Sequence, residues 1–161
     1  MQSSILGTRD LHWPDEAGCA ATAARLAARP GLGDAFIELH GPLGAGKPTF
    51  VRHLLHALGI EGAIKSPTYA LMEPYAADVA HGGFAIAHFD FYRFDDASEW
   101  EDAGFREVFA NPGLKLVEWP EKAAGLLPRC DLRLDITPDD RSIVRQVRIE
   151  AMTPRGGALL P

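Results

Sequence analysis

Cysteine is scarce here: Cys19 and Cys130 are the two in 161 residues. That excludes a disulfide framework, and no CxxC pair or Cys/His cluster with structural-metal spacing stands in its place. Both are expected to be free thiols of a reducing compartment. Long apolar runs are missing as well. No stretch approaches the ~20 residues of a membrane helix, and the amino terminus shows no basic segment leading into an apolar one. The expectation is a soluble, cytoplasmic protein with no membrane partner. Positive charge is in deficit, with 16 Lys and Arg against 22 Asp and Glu and a net charge of -6. Such a balance argues against a surface that grips nucleic acid by neutralising many phosphates.

What is present suits one compact domain. The chain is 47% hydrophobic and long enough for a single buried core, but too short for two ordinary domains. Internal repeats are absent, and glycine and proline punctuate the chain without forming a linker. Residues 1–152 are read as the domain. Residues 153–161, with Thr153-Pro154-Arg155-Gly156-Gly157, have the composition of a flexible carboxy-terminal tail.

The periodicity alternates between helix and strand. Ala-rich residues 16–29 follow Asp15, a natural N-cap, and stop at Pro30-Gly31. Apolar residues 35–39 predict a short strand, and Phe50, Val51, Leu54, Leu55 and Leu58 recur at helical spacing. Residues 83–90 and 114–118 predict two more strands, each ending in a carboxylate, Asp90 and Glu118. Residues 132–136 and 144–149 alternate with period two, as the half-exposed strands of a hairpin do. The predicted fold class is α/β, a P-loop NTPase-like mixed β-sheet flanked by helices.

Between the first predicted strand and the helix after it stands Gly41-Pro42-Leu43-Gly44-Ala45-Gly46-Lys47. It matches the first seven positions of the P-loop, or Walker A, pattern. Glycines are needed there because the backbone must curl with its N–H groups turned towards phosphates. The positive end of the following helix reinforces an anion site for ATP or ADP, and Lys47 would bridge the β- and γ-phosphates of the triphosphate. The competing reading is a glycine-rich helix entry with a surface lysine.

The eighth position lacks the Ser or Thr whose hydroxyl would hold Mg2+; it is Pro48. Proline offers neither hydroxyl nor N–H, and it disfavours the helical conformation for Lys47 before it, so a distorted loop is expected. Thr49 cannot replace the missing hydroxyl, because one step along a helix turns a side chain by ~100°. It is left to face the α-phosphate. The expected consequence is weakened Mg-dependent hydrolysis.

Four blocks together carry a family likeness: Gly41 to Phe50, Lys65-Ser66-Pro67-Thr68-Tyr69, His88-Phe89-Asp90-Phe91-Tyr92-Arg93, and Val117-Glu118-Trp119-Pro120-Glu121. In order and spacing, over roughly residues 12 to 150, the chain resembles the bacterial TsaE family. The resemblance implies an ATPase required for N6-threonylcarbamoyladenosine (t6A) modification of the adenosine next to the tRNA anticodon. It further implies a TsaB-TsaD transferase pair as partner, with tRNA engaged only indirectly.

By that resemblance Glu118 is the magnesium carboxylate. Asp90 either orients the attacking water or helps to hold the metal. Asp15, Val144 and Arg145 border the base and ribose. Ser66-Pro67-Thr68 is either a switch-like segment presenting Thr68 to the γ-phosphate or a plain turn. Trp119 covers the nucleotide or fills the core, and Tyr92-Arg93 contacts phosphate, partner or solvent. The family usually has an acidic residue where this chain has Pro42. His53 and His56, three apart with no third ligand near in sequence, are read as surface residues. Two functional alternatives remain, a nucleotide-sensing interaction module without hydrolysis and a small-molecule kinase.

Overall fold

The computed structural model describes residues 4–67 and 70–161. Its strands are β1 (Gly7–Trp13), β2 (Phe36–His40), β3 (Met72–Ala76), β4 (Ala85–Asp90), β5 (Leu114–Glu118), β6 (Leu132–Pro138) and β7 (Arg145–Ala151). The helices are α1 (Glu16–Ala27), α2 (Lys47–Ala57), α3 (Ala97–Asp102), α4 (Phe105–Ala110) and α5 (Pro154–Leu159). The strands form one seven-stranded sheet in the order β1-β7-β6-β2-β5-β4-β3.

At the centre β6, β2, β5 and β4 run parallel; β7 joins β6, β1 joins β7 and β3 joins β4 by antiparallel pairing. A parallel centre requires both faces to be covered, and the side chains show how. Ile37, Leu39, Leu114, Leu116 and Ile86 pack with Phe50, Val51, Leu54 and Leu55 of α2 and with Cys19, Ala23 and Leu26 of α1. On the opposite face Phe36, Ala87, Phe89 and Val117 meet Trp100 of α3 and Phe105 of α4. Alternation along each strand thus serves two cores.

Asp15 caps α1 as expected, accepting from the Gly18 N–H at 3.1 Å. Trp13 closes the same corner: its ring stacks 5.9 Å from Phe50 and its Nε1–H donates to the Thr22 hydroxyl at 2.9 Å. The predicted hairpin is β6-β7, antiparallel from Leu132↔Ala151 to Pro138↔Arg145.

The tail is a correction. Residues 153–161 do not hang free: Thr153 caps α5 by accepting from Gly156 N–H, and Leu159 is fully buried in the larger core. The Thr153 hydroxyl donates to Asp131 at 2.6 Å, and Asp131 also accepts the Phe36 N–H at 2.8 Å. Gly156 is required by contact, since a Cβ there would lie 1.9 Å from the Asp131 carbonyl oxygen. No described helix is long and apolar enough to cross a membrane.

Candidate functional site

The carboxyl ends of β2, β4 and β5 lie side by side, the usual place for a ligand on an open α/β sheet. The glycine loop leaves β2 there. Gly41, Gly44 and Gly46 hold φ of 149°, 81° and 109°, a region costly for a side chain. A Cβ on Gly41 would also meet the Ile136 carbonyl of β6 at 2.6 Å, whereas at Gly44 and Gly46 it would meet nothing within 4 Å. The loop is thus pressed against the sheet at its start and open further on.

Arg145, the first residue of β7, clasps the loop from behind. Its Nε donates to the Ala45 carbonyl at 2.9 Å and its Nη2 to the Gly44 carbonyl at 3.3 Å. Because C=O and N–H of one trans peptide point opposite ways, fixing the Ala45 carbonyl turns the Gly46 N–H away from Arg145. The α2 start adds N–H groups that lack intrahelical partners.

Pro48 does not displace Lys47 from the helix as the sequence suggested. Lys47 is the first residue of α2, Pro48 sits in its first turn, and the Phe50 N–H bonds the Gly46 carbonyl at 3.0 Å. The ring falls where a missing N–H removes no helical bond.

A cavity of about 190 Å³ opens over this loop, lined by Gly44, Ala45, Gly46, Lys47, Pro48, Asp90, Glu118, Trp119 and the Tyr92-Arg93 pair. Lys47 is 3% exposed; its Nζ donates to the Gly41 carbonyl and lies 3.5 Å from the Trp119 ring centre. Burial lowers its pKa, opposed by the charges of Glu118, Glu121 and Asp90. Trp119 is held at φ 56°, rare for a side chain of that size, and its ring also packs 5.0 Å from Tyr92.

Asp90 and Glu118 are directly paired across β4 and β5, which sets the two carboxylates side by side. Burial raises the Asp90 pKa and Glu118 adds to that, while the Tyr92 N–H at 3.0 Å, His88 and Lys47 pull it down. Glu118 is 1% exposed and bonds His88 Nε2 through Oε2 at 2.6 Å. Among the described residues no three His, Cys, Asp or Glu gather as a metal cage. Magnesium in P-loop proteins needs none, being held through phosphate oxygens and one or two carboxylates. The donor set fits in part: Asp90 and Glu118 offer carboxylates, and Pro48 offers nothing.

A second cavity adjoins the first at Ala45 and Gly46 and is bordered by Trp13, Asp15, Thr49, Arg52, Ile143 and Arg145. Thr49 and Pro48 therefore open into different cavities, as the ~100° step between them demands. Asp15 and Arg145 border this space; Val144 does not line it, its N–H bonding the Ser142 hydroxyl at 3.2 Å. Ser66 and Pro67 line the first cavity, whereas Thr68 lies outside the described residues. Of the two histidines on α2, His53 bonds Glu16 at 3.0 Å and His56 the Gly62 carbonyl at 3.0 Å.

Sequence reasoning missed Trp13, Glu16, Cys19, Arg52 and Ile143 at the second cavity, and His88 behind Glu118. Only His88 left a signal, a polar residue in the apolar run before Asp90.

Strand, glycine loop and helix, opening at the carboxyl ends of a parallel sheet, define a P-loop-like α/β protein. A crystal structure of YdiB from Bacillus subtilis shares the fold, with a TM-score of 0.76 over 98% of this chain and 94% of that chain at 24% identity. The family model for the threonylcarbamoyl adenosine biosynthesis protein TsaE matches residues 13–147. The tRNA threonylcarbamoyladenosine biosynthesis protein TsaE of Haemophilus influenzae is 41% identical over 120 residues, covering 74% of this chain and 72% of its own. The Bacillus subtilis protein of that name is 34% identical over 142 residues, 84% of each chain. The chain belongs to the TsaE family.

Proposed function

We propose that this chain binds ATP or ADP on loop 41–47 and acts as an ATPase component of t6A biosynthesis, assisting a TsaB-TsaD transferase pair and meeting tRNA only through those partners. One observation carries the reading: Lys47, Asp90 and Glu118, from three separate elements, converge on a single cavity over the glycine loop. The family membership supplies the pathway.

Loop amides and the α2 start would bind the β-phosphate, and Lys47 would leave the Gly41 carbonyl to meet the outer phosphates. Asp90 would accept a hydrogen bond from the attacking water and orient it, and Glu118 would fix the metal shell. Magnesium, when bound, supplies charge stabilisation for the phosphates. The second cavity would take base and ribose between Trp13 and Ile143.

Pro48 favours slow hydrolysis, because the cavity is lined there by a ring without a hydroxyl and Thr49 faces the other way. The same observation favours the second reading, a nucleotide-sensing module that binds partners with little turnover. Reconstitution of t6A formation with and without this chain tests the role: dependence on the chain, lost in Lys47→Ala, is expected. Equal t6A formation in its absence would refute it. Partner binding without phosphate release would select the module.

A further inference from the structure

His88, buried behind the cavity, is not used by the chemistry described so far. His88 and Glu118 are each 1% exposed, on neighbouring strands, joined by a 2.6 Å bond from Nε2 to Oε2. His88 Nδ1 is buried with no hydrogen-bond partner, alone in this among the described residues. These facts select a tautomer. A proton on Nδ1 would leave a buried N–H unpaired and set a bare Nε2 against a carboxylate; a proton on Nε2 donates to Glu118 and leaves only an acceptor unpaired.

Register explains why the bond forms. Glu118 pairs with Asp90 and Leu116 pairs with His88, so His88 sits one side-chain step back along β4 on the face that Glu118 shares. Its ring therefore reaches Glu118 from within the core. With Oε2 taken, Oε1 is the oxygen left for the cavity that Glu118 lines. A carboxylate on a strand end would otherwise rotate among rotamers and divide itself between Lys47 and the cavity.

We propose that His88, donating from Nε2–H, is the positioning residue of Glu118, locking Oε2 so that Oε1 is presented to the magnesium shell of a bound nucleotide. The inference rests on the reading of Glu118 as the metal carboxylate. Partners that orient metal ligands from behind commonly change metal affinity by ~10–100-fold.

Two measurements test it. Nitrogen-15 NMR of histidine-labelled protein should show a proton held on His88 Nε2; a ring protonated on Nδ1 alone, or exchanging between the two nitrogens, would overturn the assignment without any variant. The second measurement is calorimetric titration of ADP with and without magnesium. In His88→Asn, whose amide stops at the Nδ1 position, the gain in ADP affinity on adding magnesium should shrink about tenfold. In His88→Gln, whose amide reaches the Nε2 position, most of it should return. ADP affinity without magnesium should stay within about twofold in both, since neither change touches the loop. Equal magnesium dependence in wild type, Asn and Gln variants would overturn positioning by His88. So would equal loss in both variants with unchanged thermal unfolding. Glu118→Gln separates the two failures: if it also leaves magnesium dependence unchanged, the reading of Glu118 falls; if it abolishes that dependence while the His88 variants do not, only the positioning role falls.

Discussion

The Lys47 ammonium lies 3.5 Å from the centre of the Trp119 ring while donating to the Gly41 carbonyl. A cation over an indole face gains about 0.5–2 kcal/mol, more when desolvated, so ring and carbonyl together hold the lysine. On the proposed function, nucleotide would have to draw it off the ring. Adding ADP should therefore change tryptophan emission, and the change should shrink in Trp119→Phe relative to wild type. An identical change in both proteins would mean that Trp119 does not sense the lysine.

Position 48 is the next test. Pro48→Thr restores a hydroxyl on the cavity side of α2, in a first turn that already holds helical geometry. Phosphate release should rise at least ~10-fold if a single charge-assisted contact of about 1.5–3 kcal/mol is regained. Magnesium should also tighten ADP binding more than in wild type. Unchanged binding and turnover would show that the missing hydroxyl is not what limits the site.

Asp90 gives a pH signature. Its carboxyl is raised by burial and by Glu118, so the folded protein keeps this proton to higher pH than the unfolded chain does. Between the ordinary carboxylate value and the raised one the folded state binds more protons, and stability falls as pH rises through that window. Asp90→Asn lacks this effect and still accepts the Tyr92 N–H through Oδ1. Thermal unfolding should show the variant gaining on wild type from acid towards neutral pH, then holding a constant lead. A lead that grows towards acid would contradict the assignment.

Loop geometry makes a fourth prediction. Gly41→Ala forces a side chain at φ 149° onto the Ile136 carbonyl and should destabilise by more than ~1 kcal/mol. At roughly 2–4 °C per kcal/mol for a chain of this size, the unfolding temperature should drop visibly. Arg145→Ala removes the clasp on Ala45 and Gly44 and should cost about 1–2 kcal/mol, discounted for partial exposure. It should also weaken ADP binding. An Arg145 variant with native stability and affinity would show the loop to be self-supporting.

Legibility in the sequence followed burial. The strand ending at Glu118 was read to the residue, because every position of β5 is buried, and the β6-β7 hairpin showed through its alternation. The edge strands did not. β1 buries little besides Trp13, and β3 carries Pro74, which only an edge strand accommodates. α3 and α4 are six residues each, too short to display a helical period. The glycine loop was legible since its conformation depends on residue type. Arg145, expected near ribose from the resemblance, grips the loop across 100 residues of sequence, and no local pattern reports such a contact. His88 shows in the sequence as a polar residue in an apolar run, but its pairing with Glu118, 30 residues away, is hidden for the same reason.

Lys47 and the glycine loop line one cavity, and the proposed function stands on phosphate binding there. Calorimetric titration of ADP into wild type and Lys47→Met, which keeps the chain length without the charge, tests it most directly. Saturable binding by wild type, weakened at least ~30-fold in the variant with unfolding temperature little changed, is the predicted result. Equal affinity in the two proteins, or no saturable binding by wild type at millimolar ADP, would contradict it.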